Sequence, residues 1–381
     1  MSPGAPAMIP KQEADRLTVH VIGAGFGESQ VILLPSGHCV VVDCCMEGGK
    51  NLTLDLLQEL GAPRIDLLVV THPDLDHMRG IPGLVRAYPP AEVWRFPFGG
   101  LRELVSGWCR LNPRDPRLEE IDEAFRVLEE LEEQNVAWEA GMKSTVWSPA
   151  PSVEIRCLAP TPCDLRHVRD KLFELVQYST ATGRKEAAND EPTLGNTVRD
   201  YLRGEGSLDD RPNLISLALA VRWQDRRLLL CGDVENGRKT VEHSGWKGIL
   251  HQLEKDQLLG CVEGVDFIKV AHHGSNGAFH VPAWLRHQRA DRSTIAAITP
   301  FDRGKQPLPR KEVLAGMRAY AGRLGITSDA RGAFGVAEEA GWKRDQASSV
   351  TTPGPHISVV FAATGAGQLH AGARAGAFRA V

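Results

Sequence analysis

The 381-residue sequence predicts an α/β (α+β) fold in which strands come first and then alternate with helices. Three observations carry this. Short β-branched apolar runs bounded by Gly and Pro recur, as at 17–22, 30–34, 39–42 and 65–70. Segments 51–60 and 115–134 place apolar residues at helical spacing. Acidic and histidine side chains stand at the ends of several of the runs, where a sheet edge is rigid yet open to solvent.

Residues 17–23 alternate, Gly25-Phe26-Gly27-Glu28-Ser29 breaks the run, and 30–34 resumes it, giving a strand, a glycine loop and a strand. A turn at Pro35-Ser36-Gly37 leads to a third strand that ends in Asp43, for which a turn cap is the plain alternative role. Asn51 caps a helix with Leu52, Leu54, Leu56, Leu57 and Leu60 on its apolar side, and Gly61-Ala62-Pro63 stops it. Strand 65–70 then delivers Thr71-His72-Pro73-Asp74-Leu75-Asp76-His77. A short helix and a strand at 91–96 follow, and the acidic residues of 115–134 form a solvated helix face.

Residues 153–158 read as a strand, and the polar, turn-rich 161–210 as an inserted helical and loop segment or lid. A hairpin over 214–221 and 226–230 ends at Cys231-Gly232-Asp233, and strand 265–270 runs into Ala271-His272-His273-Gly274-Ser275. A strand at 294–298, a helix at 309–323 and a strand at 357–361 come next, and the Gly/Ala-rich 362–381 is expected to fray. The domain division expected is a tail over 1–16, a catalytic domain over 17–340, and a late strand with a C-terminal tail over 341–381.

At 42% hydrophobic residues the chain can build a proper core, and a formal charge of −4 gives no global basic signature. A nucleic-acid contact must therefore come from a local cluster such as Arg222/Arg226/Arg227, Arg286/Arg289/Arg292 or Arg303/Lys305/Arg310/Lys311. No run approaches the ~18 apolar residues of a membrane helix, and the N-terminus lacks a signal pattern, so a cytoplasmic protein without membrane contact is expected. The eight cysteines form no CxxC pair and read as reduced, buried thiols.

Two imidazoles and two carboxylates within His72–His77 are hard to explain as packing, because each costs several kcal/mol to bury without a partner. A divalent cation is the natural partner. His with Asp suits zinc or manganese, and two such clusters can hold a metal pair that activates water. Four strand ends supply ligand-type groups: Asp43; His72, Asp74, Asp76 and His77; Asp233; and His272 and His273. Lone histidines such as His20, His167 and His243 are read instead as hydrogen-bonded structural residues.

The pattern resembles the metallo-β-lactamase superfamily, with HxHxDH after a strand and a later acid and histidine at strand ends. His72-Pro73-Asp74-Leu75-Asp76-His77, with Asp in place of the second His, Gly232-Asp233 and Ala271-His272-His273-Gly274-Ser275 look like the hydrolase domain of ComEC-type DNA-uptake channel proteins. The Gly-x-Gly-acid loop of 21–29 is similar to that group as well, and the likeness covers roughly 17–334 apart from the insertion. It implies a four-layer αββα sandwich. It also implies two divalent ions, zinc or manganese with magnesium as a further choice: His72 and Asp74 at one position, Asp76 and His77 at the second. Asp233 bridges them, His272 or His273 completes the second position, and Asp43 orients a ligand histidine. Many members carry a further His before the bridging acid, where this chain has no equivalent beyond His167, which lies in the insertion, and Asn213, a weak substitute, and Gln306-Pro307 stands where the channel domains tend to carry His-Pro.

The function implied is hydrolysis of a phosphodiester, as by a nuclease, through a metal-activated hydroxide with Asp76 and Asp233 as the catalytic carboxylates. Nucleic acid would be the substrate, and the resemblance further implies a bacterial defence setting with protein partners. Ser275 is a candidate leaving-group contact, while Lys269, mid-strand, is expected to face solvent. Two other readings stand: hydrolysis of a small substrate such as a cyclic nucleotide, lactam, lactone or thioester, and a non-catalytic metal-stabilised interaction module.

Overall fold

The structure, a computed structural model, describes residues 15–62, 64–97, 116–142, 145–168, 170, 212–237, 241–303, 307–345 and 354–380. The opening β-branched runs form an antiparallel meander, β1 (Arg16–Ile22), β2 (Ser29–Leu33) and β3 (Cys39–Val42). A two-stranded ribbon, β4 (Met46–Glu47) and β5 (Lys50–Asn51), precedes helix α1 (Leu52–Leu60). The Asn51 side chain accepts from Leu54 N, and Gly61, left-handed at φ 63, closes the other end. The apolar run beyond it is β6 (Leu67–Val70), parallel to β3. Helices α2 (Leu75–Met78) and α3 (Ile81–Ala87), strand β7 (Val93–Arg95), helix α4 (Pro116–Glu133) and strand β8 (Ala137–Glu139) complete the first half.

The second half begins with β9 (Val146–Ala150), β10 (Val153–Ala159), β11 (Ala218–Trp223) and β12 (Arg226–Leu230), joined antiparallel. Helix α5 (Gly245–Lys255), β13 (Phe267–Lys269), α6 (Val281–His287), β14 (Ile295–Ile298), α7 (Lys311–Met317), β15 (Arg323–Ile326) and α8 (Ala333–Glu339) then alternate. The chain ends in β16 (Lys343–Arg344), β17 (His356–Ala362), β18 (Gln368–Ala371) and β19 (Gly376–Arg379).

These strands make an eight-stranded sheet, β18-β17-β1-β2-β3-β6-β7-β8, and a nine-stranded sheet, β16-β19-β15-β14-β13-β12-β11-β10-β9. Side-chain alternation separates the cores. Leu17, Val19 and Val21 of β1 face Leu219, Leu228 and Phe267 between the sheets. Val31 and Val41 turn outward against α1, α3 and α4, and Leu229, Ile268 and Ala296 turn outward against α5, α6 and α7. The result is helices on sheet on sheet on helices, the four-layer mixed α/β arrangement expected. The described cysteines are free thiols, and burial pushes Cys39, Cys44, Cys157 and Cys231 up to about 12.

Two expectations are corrected. The helix read at 309–323 ends at Met317, and β15 follows where no strand was foreseen. The 362–381 segment does not fray over 368–379 but forms β18 and β19. Its glycines serve contact: a Cβ on Gly367 would lie 2.3 Å from the Phe361 ring, and one on Gly376 2.8 Å from Phe378. Of the 161–210 insertion only 161–168 and 170 are described, with 162–168 helical; the rest, the tail to 14, Cys109, Lys305 and Gln306 lie outside the described residues.

Candidate metal centre

The ligand-type residues converge because the strands carrying them end at one rim of the sandwich. β3 passes into Asp43, left-handed at φ 56, whose backbone N donates to Val69 O at 2.8 Å. β6 passes into Thr71 and His72. Asp74 sits at the N-cap of α2, yet its carboxylate makes no capping bond, and Asp76 and His77 lie inside that helix. Beyond β12, Gly232 is left-handed at φ 48, and a Cβ there would meet Leu217 O at 2.4 Å, so glycine alone lets Asp233 approach. Beyond β13, His272 and His273 are both left-handed, at φ 46 and 52. Consecutive non-glycine residues in that region are costly and persist where the surroundings impose them.

His72 Nε2 lies 3.6 Å from Asp74 Oδ2 and 3.8 Å from Asp233 Oδ2. His77 Nε2 lies 3.6 Å from Asp76 Oδ2 and 3.7 Å from Asp233 Oδ1, and His273 Nε2 lies 3.2 Å from Asp76 Oδ2. One carboxylate, Asp233, thus faces both histidines with different oxygens. Among the described residues, His72 Nε2, His77 Nε2, Asp74 Oδ1 and Asp233 Oδ1 are buried without a hydrogen-bond partner. The three orphaned atoms of His72, His77 and Asp233 lie within one ligand-sized space and are costly unless a cation fills it. Two ligands about 2.1 Å from one ion at a tetrahedral angle stand roughly 3.4 Å apart, close to the separations seen. The donor set therefore fits divalent metal, with His72, His77 and Asp233 in one triad and Asp76, His77 and His273 in another.

Each imidazole is held from behind. Asp43 accepts from His77 Nδ1 at 2.7 Å, and also from Thr71 N at 2.8 Å and Thr71 Oγ1 at 2.7 Å. Because that hydroxyl gives its proton to Asp43, it accepts from His72 Nδ1 at 2.9 Å. His273 Nδ1 donates to Thr299 O at 3.0 Å. All three rings thus carry their proton on Nδ1 and leave Nε2 to face the shared space.

The charges hold one another. Burial alone would lower the His77 pKa, but the carboxylates of Asp76, Asp43 and Asp233 outweigh it and raise the ring well above its usual value. Burial would raise Asp76, and His77 and His273 reverse it and bring it down to about 2. Asp233, against the same burial, is held far below the carboxylate range by His272, His77, His273 and His72.

The profile described as the metallo-beta-lactamase superfamily matches residues 24–95, from the glycine loop through β7. That segment is similar to the superfamily. A comparison with curated proteins returned no match. Among solved structures, a variant of CmlA beta-hydroxylase matches at 14% identity and a TM-score of 0.32, covering 68% of this chain and 36% of that one. Zinc-bound PqqB from Methylobacterium extorquens matches at 12% identity and 0.32, covering 66% and 71%. The hydrolase AbOPH of the beta lactamase superfamily matches at 10% identity and 0.34, covering 66% and 86%.

The structure brings His72, Asp74, Asp76, His77, Asp233 and His273 to one place, and it separates the two adjacent histidines. His273 joins Asp76 and His77, whereas His272 Nε2 lies 3.9 Å from Asp233 and its Nδ1 turns to Glu235 at 3.2 Å and Asn213 at 3.2 Å. Asn213 therefore orients His272. Lys269 contradicts its expected exposure: it is fully buried, its Nζ 2.5 Å from Glu28 Oε1, because β13 is covered on both faces. Glu28, Thr71, Thr299 and Glu235 were not foreseen as site residues. Of these only Glu28 left a signal, as the acid closing the Gly-x-Gly loop.

Proposed function

We propose that the protein is a metal-dependent hydrolase of phosphodiesters, most simply a nuclease, working at a dinuclear site. The observation that carries it is the buried, orphaned set His72, His77 and Asp233, with Asp76 and His273 beside it and Asp74 at the rim. Bound divalent cations would supply Lewis acidity and a water ionised near neutral pH. Asp233, whose two oxygens face His72 and His77, would be the carboxylate shared by the two positions, and Asp76 would be the acid beside the ionised water. Asp43, Thr71 and Thr299 keep the ligand rings in one tautomer. Three carboxylates beside three imidazoles make a harder set than an all-nitrogen one, which favours manganese or magnesium over zinc alone. Kinship with the ComEC-type group is supported by Asp74 in the second-histidine place and by the Ala271–Ser275 stretch, and a free-standing defence effector with protein partners is the setting that kinship implies.

The test is an assay on plasmid, single-stranded DNA, RNA and bis(p-nitrophenyl) phosphate with manganese or zinc, beside an Asp76→Ala/His77→Ala control. Metal-dependent cleavage of nucleic acid, lost in the control, is expected. Cleavage of the small ester alone points to a small-molecule hydrolase, and metal binding without turnover to an interaction module.

A further inference from the structure

Four of the eight arginines in the basic clusters are already engaged. Arg226 and Arg289 share Asp266 at 2.9 and 3.2 Å, Arg222 pairs with Glu154 at 3.5 Å, and Arg286 with Glu263 at 3.3 Å. Arg303 differs. It is exposed, has no carboxylate partner among the described residues, and its guanidinium carbon lies 4.0 Å from the centroid of the Phe26 ring. Phe26 and Phe301 are half-buried with centroids 5.7 Å apart, and the Phe301 ring lies 5.1 Å from that of His273. A row of planar groups therefore runs from the metal centre to the surface: His273, Phe301, Phe26, Arg303.

The row is built into the site. The Phe26 loop reaches the ligand helix, since Glu28 N donates to Asp76 O at 3.1 Å, and it is tied to the Arg303 loop by Asp302 N donating to Gly25 O at 2.7 Å. A guanidinium laid on an aromatic face keeps its edge N–H groups free for phosphate oxygens, and neighbouring rings offer faces to a base. Aromatic faces interleaved with an unpaired cation are the chemistry that holds a nucleotide strand.

We infer that Phe26, Phe301 and Arg303 form a nucleoside subsite beside the scissile position, stacking a base and meeting the adjoining phosphate. This rests on the phosphodiesterase reading and narrows it to diesters that carry a nucleoside. Two substrates with one leaving group test it: thymidine p-nitrophenyl phosphate and methyl p-nitrophenyl phosphate. The expected result is a KM about tenfold lower for the thymidine ester, with the preference falling to near unity in Arg303→Ala and in Phe26→Leu. Titration calorimetry with thymidine monophosphate and methyl phosphate reads the same preference without turnover, and Arg303→Ala, at an exposed position, keeps the test free of folding effects. Equal handling of the two ligands by the unaltered protein, or a preference that survives both substitutions, overturns the subsite. Failure to hydrolyse either ester overturns the phosphodiesterase reading beneath it, while the calorimetry still judges the subsite.

Discussion

Asp43 is fully buried, yet its two oxygens accept hydrogen bonds from His77 Nδ1, Thr71 N and Thr71 Oγ1. Replacing it with Asn puts an N–H where an acceptor is needed. The Asp43→Asn variant is expected to lose about 10–100-fold in metal affinity by titration calorimetry while keeping its fold; unchanged affinity would show that His77 is oriented by something else. Lys269 and Glu28 pose the energetic counterpart, because Glu28 also holds Thr299 and faces His273 Nδ1 at 3.4 Å. Lys269→Met strands a buried carboxylate, and urea unfolding should register a loss of about 3–5 kcal/mol. Adding Glu28→Gln should return most of it. A single mutant as stable as the double would refute the pairing. The ligands were legible residue by residue because each stands at the end of an apolar run. Lys269 was not, because its partner lies 241 positions away and nothing local marks a mid-strand lysine as buried.

At the scale of elements, β-branched runs declared themselves and small-residue strands did not. β15 carries Gly325, where a Cβ would meet Ile357 at 2.4 Å, so a residue without a side chain answers a need for close packing between the sheets. Strand β1 shows a second trait unreadable from its own pattern. His20 is fully buried, with its ring 6.0 Å from that of His356 on β17. Burial first, then His356 and His370, lower its pKa to about 3, and burial lowers His287 to about 4. Both rings are neutral when folded, so their contribution is complete above the unfolded value of 6.5 and is lost as pH falls below it. From about pH 6.5 to about pH 5 His20 should cost roughly 2 kcal/mol. Denaturant unfolding at the two pH values checks this: stability should fall with acid, and less so in His20→Leu. An equal fall in both proteins would contradict it.

For the whole molecule, the centre draws on both sheets: Glu28, Asp43 and the 71–77 stretch come from one, and Asp233, His273 and Thr299 from the other. The convergence was foreseeable in outline, since every ligand run ends in a turn. Which histidine of the adjacent pair would reach Asp76 was not, because that depends on two successive left-handed residues that no periodicity records. No helix among the described residues is long and apolar enough to cross a membrane. Cations are required to fill the space around which the unpartnered atoms of His72, His77 and Asp233 gather. Anomalous diffraction from crystals grown with manganese measures this most directly. Two peaks about 3.5–4 Å apart are expected, one beside His72 and Asp74, the other beside Asp76, His77 and His273, with Asp233 between them; a centre with no peak under saturating metal would contradict it.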